Sequence, residues 1–222
     1  RDIERAKRTF FDKAIGETIV QSKQVPVLIN YSVGKKRYEK KPDEFDLKLI
    51  KKIDEMDIPY WFPKDELPEG YNTEQPKKSH GITHVHHFYT KRNLYVLACL
   101  WNESINSNLK IMIFLYEQLI WGMSKLARYV PTHYSQVNQY LSGTLYIGSQ
   151  VVEVSAEYII RNKINNLIKV INLLNKSEKS CITTNSSTKL NISSNSIDYI
   201  FTDPPFGSNL MYSELNFLWE AW

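Results

Sequence analysis

The chain has 222 residues, 42% of them apolar, enough for one α/β domain or a domain with an appendage, and too apolar for global disorder. No stretch approaches the ~20 uninterrupted apolar residues of a membrane span, because Lys110, Glu117 and Lys125 break up the best one, so no membrane partner is expected. The formal charge of +4 is carried by residues 1–92, and residues 1–41 alone hold 11 basic against 5 acidic side chains, a surface compatible with phosphate contacts. Cys99 and Cys181 lie far apart and match no zinc-ligand spacing, which makes a reducing, cytoplasmic setting the expectation. Arg1 stands where an initiator Met would, no signal-like apolar core follows it, and the chain stops at Trp222 inside an apolar pattern. The sequence therefore reads as a piece of a longer protein.

Taken in chain order, residues 1–15 read as a helix end or connector. Val25 to Ser32 is an apolar, β-branched run leading through Val33-Gly34 into the basic stretch Lys35 to Lys41, which predicts a hairpin or a strand entering a basic loop. Pro42-Asp43 opens a helix with Leu47, Ile50 and Ile53 on one face. Five Pro and Gly positions make residues 57–79 an irregular loop anchored by Tyr60, Trp61 and Phe62. Thr90 caps a helix over about 91–103 whose stripe is Leu94, Leu97, Ala98 and Trp101, and a longer helix follows over about 108–129.

A polar loop over 131–142 precedes a short strand, Thr144 to Ile147. Ser155 then caps the clearest helix, with Ile160, Ile164, Leu167, Ile168, Ile171 and Leu174 at helical spacing, a stripe expected to pack into the core. In residues 175–196, 14 of 22 positions are Ser, Thr or Asn, the composition of a linker, although Cys181-Ile182-Thr183 could form a strand with Leu190 and Ile192 anchoring the loop behind it.

The chemistry is concentrated near the end. Ile197 to Thr202 is a nearly continuous apolar run, as expected of a central parallel strand, and it leads into Asp203-Pro204-Pro205-Phe206-Gly207, with a helix expected from Ser213 bearing Leu215, Leu218, Trp219 and Trp222 on one side. A strand, a rigid turn and a helix put the turn at the carboxyl end of the strand, where open α/β sheets bind ligands. The prolines fix φ and lack N–H groups, so their carbonyls stand as acceptors beside the Asp203 carboxylate, with the ring of Phe206 one step on. Acceptors and a ring held rigidly suit the exocyclic amino group of a planar heterocycle: the amino hydrogens are accepted, the base stacks, and the nitrogen lone pair is freed to attack an electrophilic methyl.

Thr202-Asp203-Pro204-Pro205-Phe206 resembles the (D/N/S)-P-P-(Y/F/W) motif of amino-group DNA methyltransferases, which use S-adenosylmethionine and flip their target base out of the duplex. Further stretches are similar to those of large site-specific methylases that contain a zinc ribbon: Gly81 to His84 with Phe88 to Leu94, Ser124 to Tyr129, Leu141 to Tyr146, and above all Phe206 to Leu215. The resemblance implies an α/β, Rossmann-like methyltransferase fold with a mostly parallel sheet. Residues 151–222 would supply helix, strand, turn and helix of the catalytic domain, and residues 1–150 a large, mainly helical insertion that helps to form a DNA cleft. It implies that Asp203 and the Pro204 carbonyl accept from the amino group and that Phe206 stacks on the base, with Pro205 stiffening the turn; Asn209, Tyr212 and Glu214 are candidates for the same pocket, the alternatives being a core position for Tyr212 and a first helical turn for Glu214. Asp at the first position favours N6 of adenine over N4 of cytosine.

In those relatives a glycine-rich cofactor motif and Cys-x-x-Cys pairs lie upstream of the region equivalent to Arg1. Neither is present in residues 1–222, and Gly143 and Gly148 lack the tight spacing of the former. Cofactor-binding residues are therefore not assigned, zinc is expected only in an upstream part, and these residues alone are not expected to be active. An RNA-base or protein-glutamine N-methyltransferase would use the same turn, usually with Asn in place of Asp203. Outside the enzymes, the alternative is a non-catalytic DNA-binding or specificity segment. The sequence does not give the recognition site or reveal a restriction or defence partner.

Lys35, Lys36 and Arg37, and Lys91 and Arg92 at a helix start where cations oppose the dipole, are the candidate DNA-backbone contacts, the alternatives being a solvated helix start for the last two and a solubilising loop for the first three. His80, His84, His86 and His87 form a local cluster, and alternation would put His84 and His86 on one face of a strand. With no His-Glu-x-x-His helix and no carboxylate nearby in sequence, no metal ligand is assigned. Trp61 and Trp101 read as packing residues.

Overall fold

The computed structural model describes residues 5–129, 141, 143–174, 183–186, 188–204, 207 and 210–222. These form a mixed α/β arrangement of two antiparallel hairpins and six α-helices.

The first hairpin replaces the helix end or connector expected over residues 1–15. Strands β1 (Lys7–Asp12) and β2 (Glu17–Ser22) pair with Phe10 opposite Ile19 and Thr9 opposite Val20, aromatic and β-branched pairs that favour a sheet over a helix. The loop is closed by Asp12, whose Oδ1 accepts the Ala14 N–H at 2.9 Å and whose carbonyl accepts the Gly16 N–H at 2.8 Å, with Gly16 at φ 74°. The second hairpin, β3 (Ile29–Val33) with β4 (Lys36–Lys40), meets the expectation of one at Gly34. Gly34 is the first residue of the two-residue loop at φ 60°, the position at which a II′ turn needs glycine. Tyr31 and Tyr38, directly opposite, stack at 5.5 Å.

Asp43 caps α1 (Glu44–Glu55) through a reciprocal capping box with Asp46. Where an irregular loop was expected, residues Tyr71–His80 form α2 despite an internal Pro76. Gly81 closes it in the left-handed region at φ 66°, and a Cβ there would also strike the carbonyl of Val20, so β2 packs against the end of α2. A 3₁₀ turn, Val85–Phe88, follows.

Thr90 caps α3 (Lys91–Asn106) by accepting the Asn93 N–H, as expected, and Leu94, Leu97 and Ala98 are buried. Helix α4 (Lys110–Ile120) is shorter than expected. Beyond it Ser124 competes for the backbone: its Oγ donates to the Trp121 carbonyl at 2.7 Å and accepts the Leu126 N–H at 3.2 Å, so Met123 and Leu126 reach the core from a turn.

Residues 144–147 form no strand, yet Leu145 and Ile147 are buried while Tyr146 is exposed, the alternation of an extended segment. The Gln75 side chain takes the place of a neighbouring strand, donating to the Ile147 carbonyl at 3.1 Å and accepting its N–H at 3.0 Å.

Helix α5 (Ala156–Leu174) lies where expected, and its first turns join the core through Ile159 and Ile160, but Ile164, Ile168 and Ile171 are exposed, so the rest of the stripe does not follow. Helix α6 (Tyr212–Ala221) ends the chain. Its Leu218 and the terminal Trp222 are buried in an aromatic group with Tyr89, Trp101 and Tyr116, where Trp222 Nε1 donates to the Tyr89 hydroxyl at 3.2 Å. Trp61 lies 6.0 Å from Trp222 on the rim of this group, a packing position as expected.

The expected central strand is corrected. Residues 197–202 are irregular and open to solvent, with Phe201 79% exposed. An apolar run becomes a strand only with a neighbour to bond to, and among the described residues both sheets are two-stranded hairpins within residues 7–40, neither of which pairs with residues 197–202. Leu190 and Ile192 are likewise exposed and anchor nothing in the described chain.

Candidate functional site

Asp203 and Pro204 follow the irregular run and are both exposed. Pro205, Phe206 and Asn209 lie outside the described residues, so the turn is seen only through its first half. Seven residues after Pro205, helix α6 begins. Tyr212 opens α6 and is partly exposed, whereas Glu214 is buried. Its carboxylate accepts the Asn72 N–H at 2.7 Å, at the first turn of α2, where negative charge and an acceptor are both favourable. Glu214 thus serves as a cap delivered from a distant helix, and Gly70 is the residue that makes room, since a Cβ there would collide with that carboxylate.

The stretches that carry the resemblance meet in space. The Phe88 carbonyl accepts the Lys125 N–H at 2.6 Å and the His87 carbonyl accepts from Lys125 Nζ at 2.8 Å, while Asn93 Nδ2 donates to the Met123 carbonyl at 2.8 Å. Gly143 lies against Leu210, just beyond the turn. Burial, with Arg8 adding repulsion, lowers the Lys125 ammonium to about 7.

The basic residues separate into two groups. Lys35, Lys36 and Arg37 are exposed on the β3–β4 hairpin. Lys91 is half-buried, and Arg92 has an internal anionic partner, its Nε lying 3.4 Å from Glu153 Oε1. That pair accounts for a cation at the start of α3 without a phosphate.

The histidines form an arrangement with no counterpart in the sequence reading. His84 and His86 do not alternate along a strand; the 3₁₀ turn brings His86 and His87 together instead. Their Nε2 atoms each lie 2.8 Å from the same oxygen, Oδ2 of Asp12, and all three residues are buried. His87 Nδ1 accepts the N–H groups of Thr83 and His84, each at 3.3 Å, which leaves Nε2–H as the donor to Asp12. Burial pushes the Asp12 carboxyl up, but hydrogen bonds from His86, His87 and Ala14 outweigh it and hold the group down at about 2. Burial lowers both imidazoles, and His87, which His86 lowers further, falls to about 3. The cluster is therefore a buried carboxylate between two neutral rings. Sequence reasoning missed Asp12 because it lies 74 residues from His86; the local signal was the His86-His87 pair alone. His80 is not part of the cluster: its Nδ1 is 2.7 Å from Ser79 Oγ, and it bonds the Gly148 backbone.

No family model, curated protein or solved structure matches the chain.

Proposed function

We propose that this chain belongs to an S-adenosylmethionine-dependent DNA methyltransferase that modifies an exocyclic amino group, N6 of adenine in preference to N4 of cytosine. The observation that carries the reading is the Asp203-Pro204-Pro205-Phe206 motif, whose described half is open to solvent at the approach to α6. The Asp203 carboxylate accepts one amino hydrogen and the Pro204 carbonyl the other, while Phe206 holds the ring by stacking. Polarised in this way, the amino nitrogen directs its lone pair toward the methyl donor.

Among the described residues no glycine-rich strand, loop and helix faces Asp203, so the residues present build no cradle for S-adenosylmethionine, and this chain's contribution is the acceptor side of the reaction. The Rossmann-like catalytic domain over residues 151–222, the cleft built from residues 1–150 and the cytoplasmic setting belong to the same proposal. Support comes also from the packing together of resemblance-bearing stretches that are distant in sequence.

The test is methyl transfer by the full-length parent protein, with and without Asp203→Ala, using radiolabelled S-adenosylmethionine and DNA, RNA and protein acceptors. Label on DNA that falls at least a hundredfold with Asp203→Ala supports the reading. Label on RNA or protein alone, or undiminished label on DNA, overturns it.

A further inference from the structure

Successive residues of a 3₁₀ turn point about 120° apart, yet His86 and His87 both place Nε2 at 2.8 Å from one carboxylate oxygen. One ligand atom from each of Asp12, His86 and His87 lies within 4.8 Å of the others, and the exposures of the three residues are 7, 6 and 4%. Two imidazoles and a carboxylate form a donor set that first-row divalent ions accept. We propose that Asp12, His86 and His87 bind one divalent transition-metal ion, with Zn²⁺ as the reference ion, and that this ion staples the β1–β2 hairpin to the helical core.

The electrostatics favour a cation. The cluster carries one buried negative charge, and Lys125 Nζ is engaged by the His87 carbonyl rather than by Asp12.

The protons balance without a co-reactant. In the metal-free state each Nε2–H donates to Asp12. On coordination the metal takes the Nε2 lone pairs and each ring keeps one proton, moved to Nδ1 through solvent exchange, so the Thr83 and His84 N–H groups give up His87 Nδ1 as their acceptor. Thr83 Oγ1, 3.3 Å from His87 Nδ1, is then positioned to accept that proton, the kind of outer contact that fixes a ligating imidazole. His86 Nδ1 is buried and has no hydrogen-bond partner among the described residues. Among the described residues three protein donors converge, so water would complete the coordination.

The hairpin has reason to need a staple. Phe11 and Val20 are exposed, and besides the Asp12 cluster the described attachments of the hairpin are the buried Gln21, the approach of the β2 backbone to Gly81 and an exposed Lys13–Asp57 ion pair at 3.1 Å. A metal bound only by the folded chain adds its binding free energy to folding.

The test uses untagged, chelator-treated protein titrated with Co²⁺ and then Zn²⁺, and makes no use of methyl transfer, so it stands or falls apart from the methyltransferase reading. The expected result is one Co²⁺ per chain with visible ligand-field absorption, no thiolate charge-transfer band, displacement by Zn²⁺, and a melting temperature raised by Zn²⁺ in the wild type but not in Asp12→Asn or His86→Gln. Long-range ¹H–¹⁵N spectra of the wild-type histidines supply a readout that needs no variant: Zn²⁺ should shift the proton of two rings from Nε2 to Nδ1. No stoichiometric binding, a thiolate band, or retention of both Nε2–H groups with Zn²⁺ present overturns the proposal.

Discussion

Glu214 and Asn72, 142 residues apart in the chain, are joined by a 2.7 Å hydrogen bond from the Asn72 backbone to the Glu214 carboxylate. The contact ties α6, which follows the Asp203 turn, to the first turn of α2. Glu214→Ala leaves a buried N–H unpaired and should cost about 1–2 kcal/mol, whereas Glu214→Gln keeps an acceptor and should recover most of it. Gly70→Ala should cost about as much by forcing the same carboxylate aside, because Gly70 is extended and the collision, not its φ, is the obstacle. Urea midpoints of the three variants check this.

The Gln75 amide should prove a structural keystone of the 144–147 segment. Gln75→Ala strands both the N–H and the carbonyl of fully buried Ile147, for an expected loss of about 2–4 kcal/mol. Gln75→Glu can still accept but cannot donate, and should fall between Ala and wild type in the same denaturation series.

His80 should confer acid sensitivity. Burial, with Arg5 opposing further charge, lowers its imidazole from 6.5 to about 4. Between those values the unfolded chain binds a proton that the folded chain refuses, so stability falls as pH drops from about 6.5 to 4 and is unaffected by this group above that window. A His80→Gln variant should show a shallower decline across that range in pH-dependent melting, with little change of slope above pH 7.

On the proposed reading, the exposed cations Lys35, Lys36 and Arg37 should contribute to DNA affinity, and Arg92, paired with Glu153, should not. Replacing the three with Ala should reduce the slope of log affinity against log salt by roughly 2–3, one phosphate contact each. Arg92→Ala should leave that slope unchanged and alter stability by less than about 1 kcal/mol, since its ion pair with Glu153 is half exposed.

What the sequence revealed was local. Asp43 and Thr90 announce their helices because a cap bonds residues three positions away, and Gly34 announces its hairpin because a two-residue turn needs it. Pro76 concealed α2: the sequence shows the missing N–H but not Glu214, Gly70 and Gly81, which fix the helix at both ends. The apolar stripe of α5 gave the helix but not its burial, since a stripe shows which face is apolar and not whether anything covers it. Ile197 to Thr202 was read as a strand for the same reason. At the site, the Asp203 motif was readable as chemistry, whereas the Asp12–His86–His87 cluster was not, because its carboxylate arrives from another hairpin.

Nucleoside mass spectrometry of unmethylated DNA incubated with the protein and S-adenosylmethionine would be the most direct trial of the Asp203 assignment. The expected product is N6-methyladenine, formed by the wild type and missing with Asp203→Ala at equal folded concentration. Wild-type DNA free of methylated amino groups, or N6-methyladenine formed equally well by the variant, would contradict it.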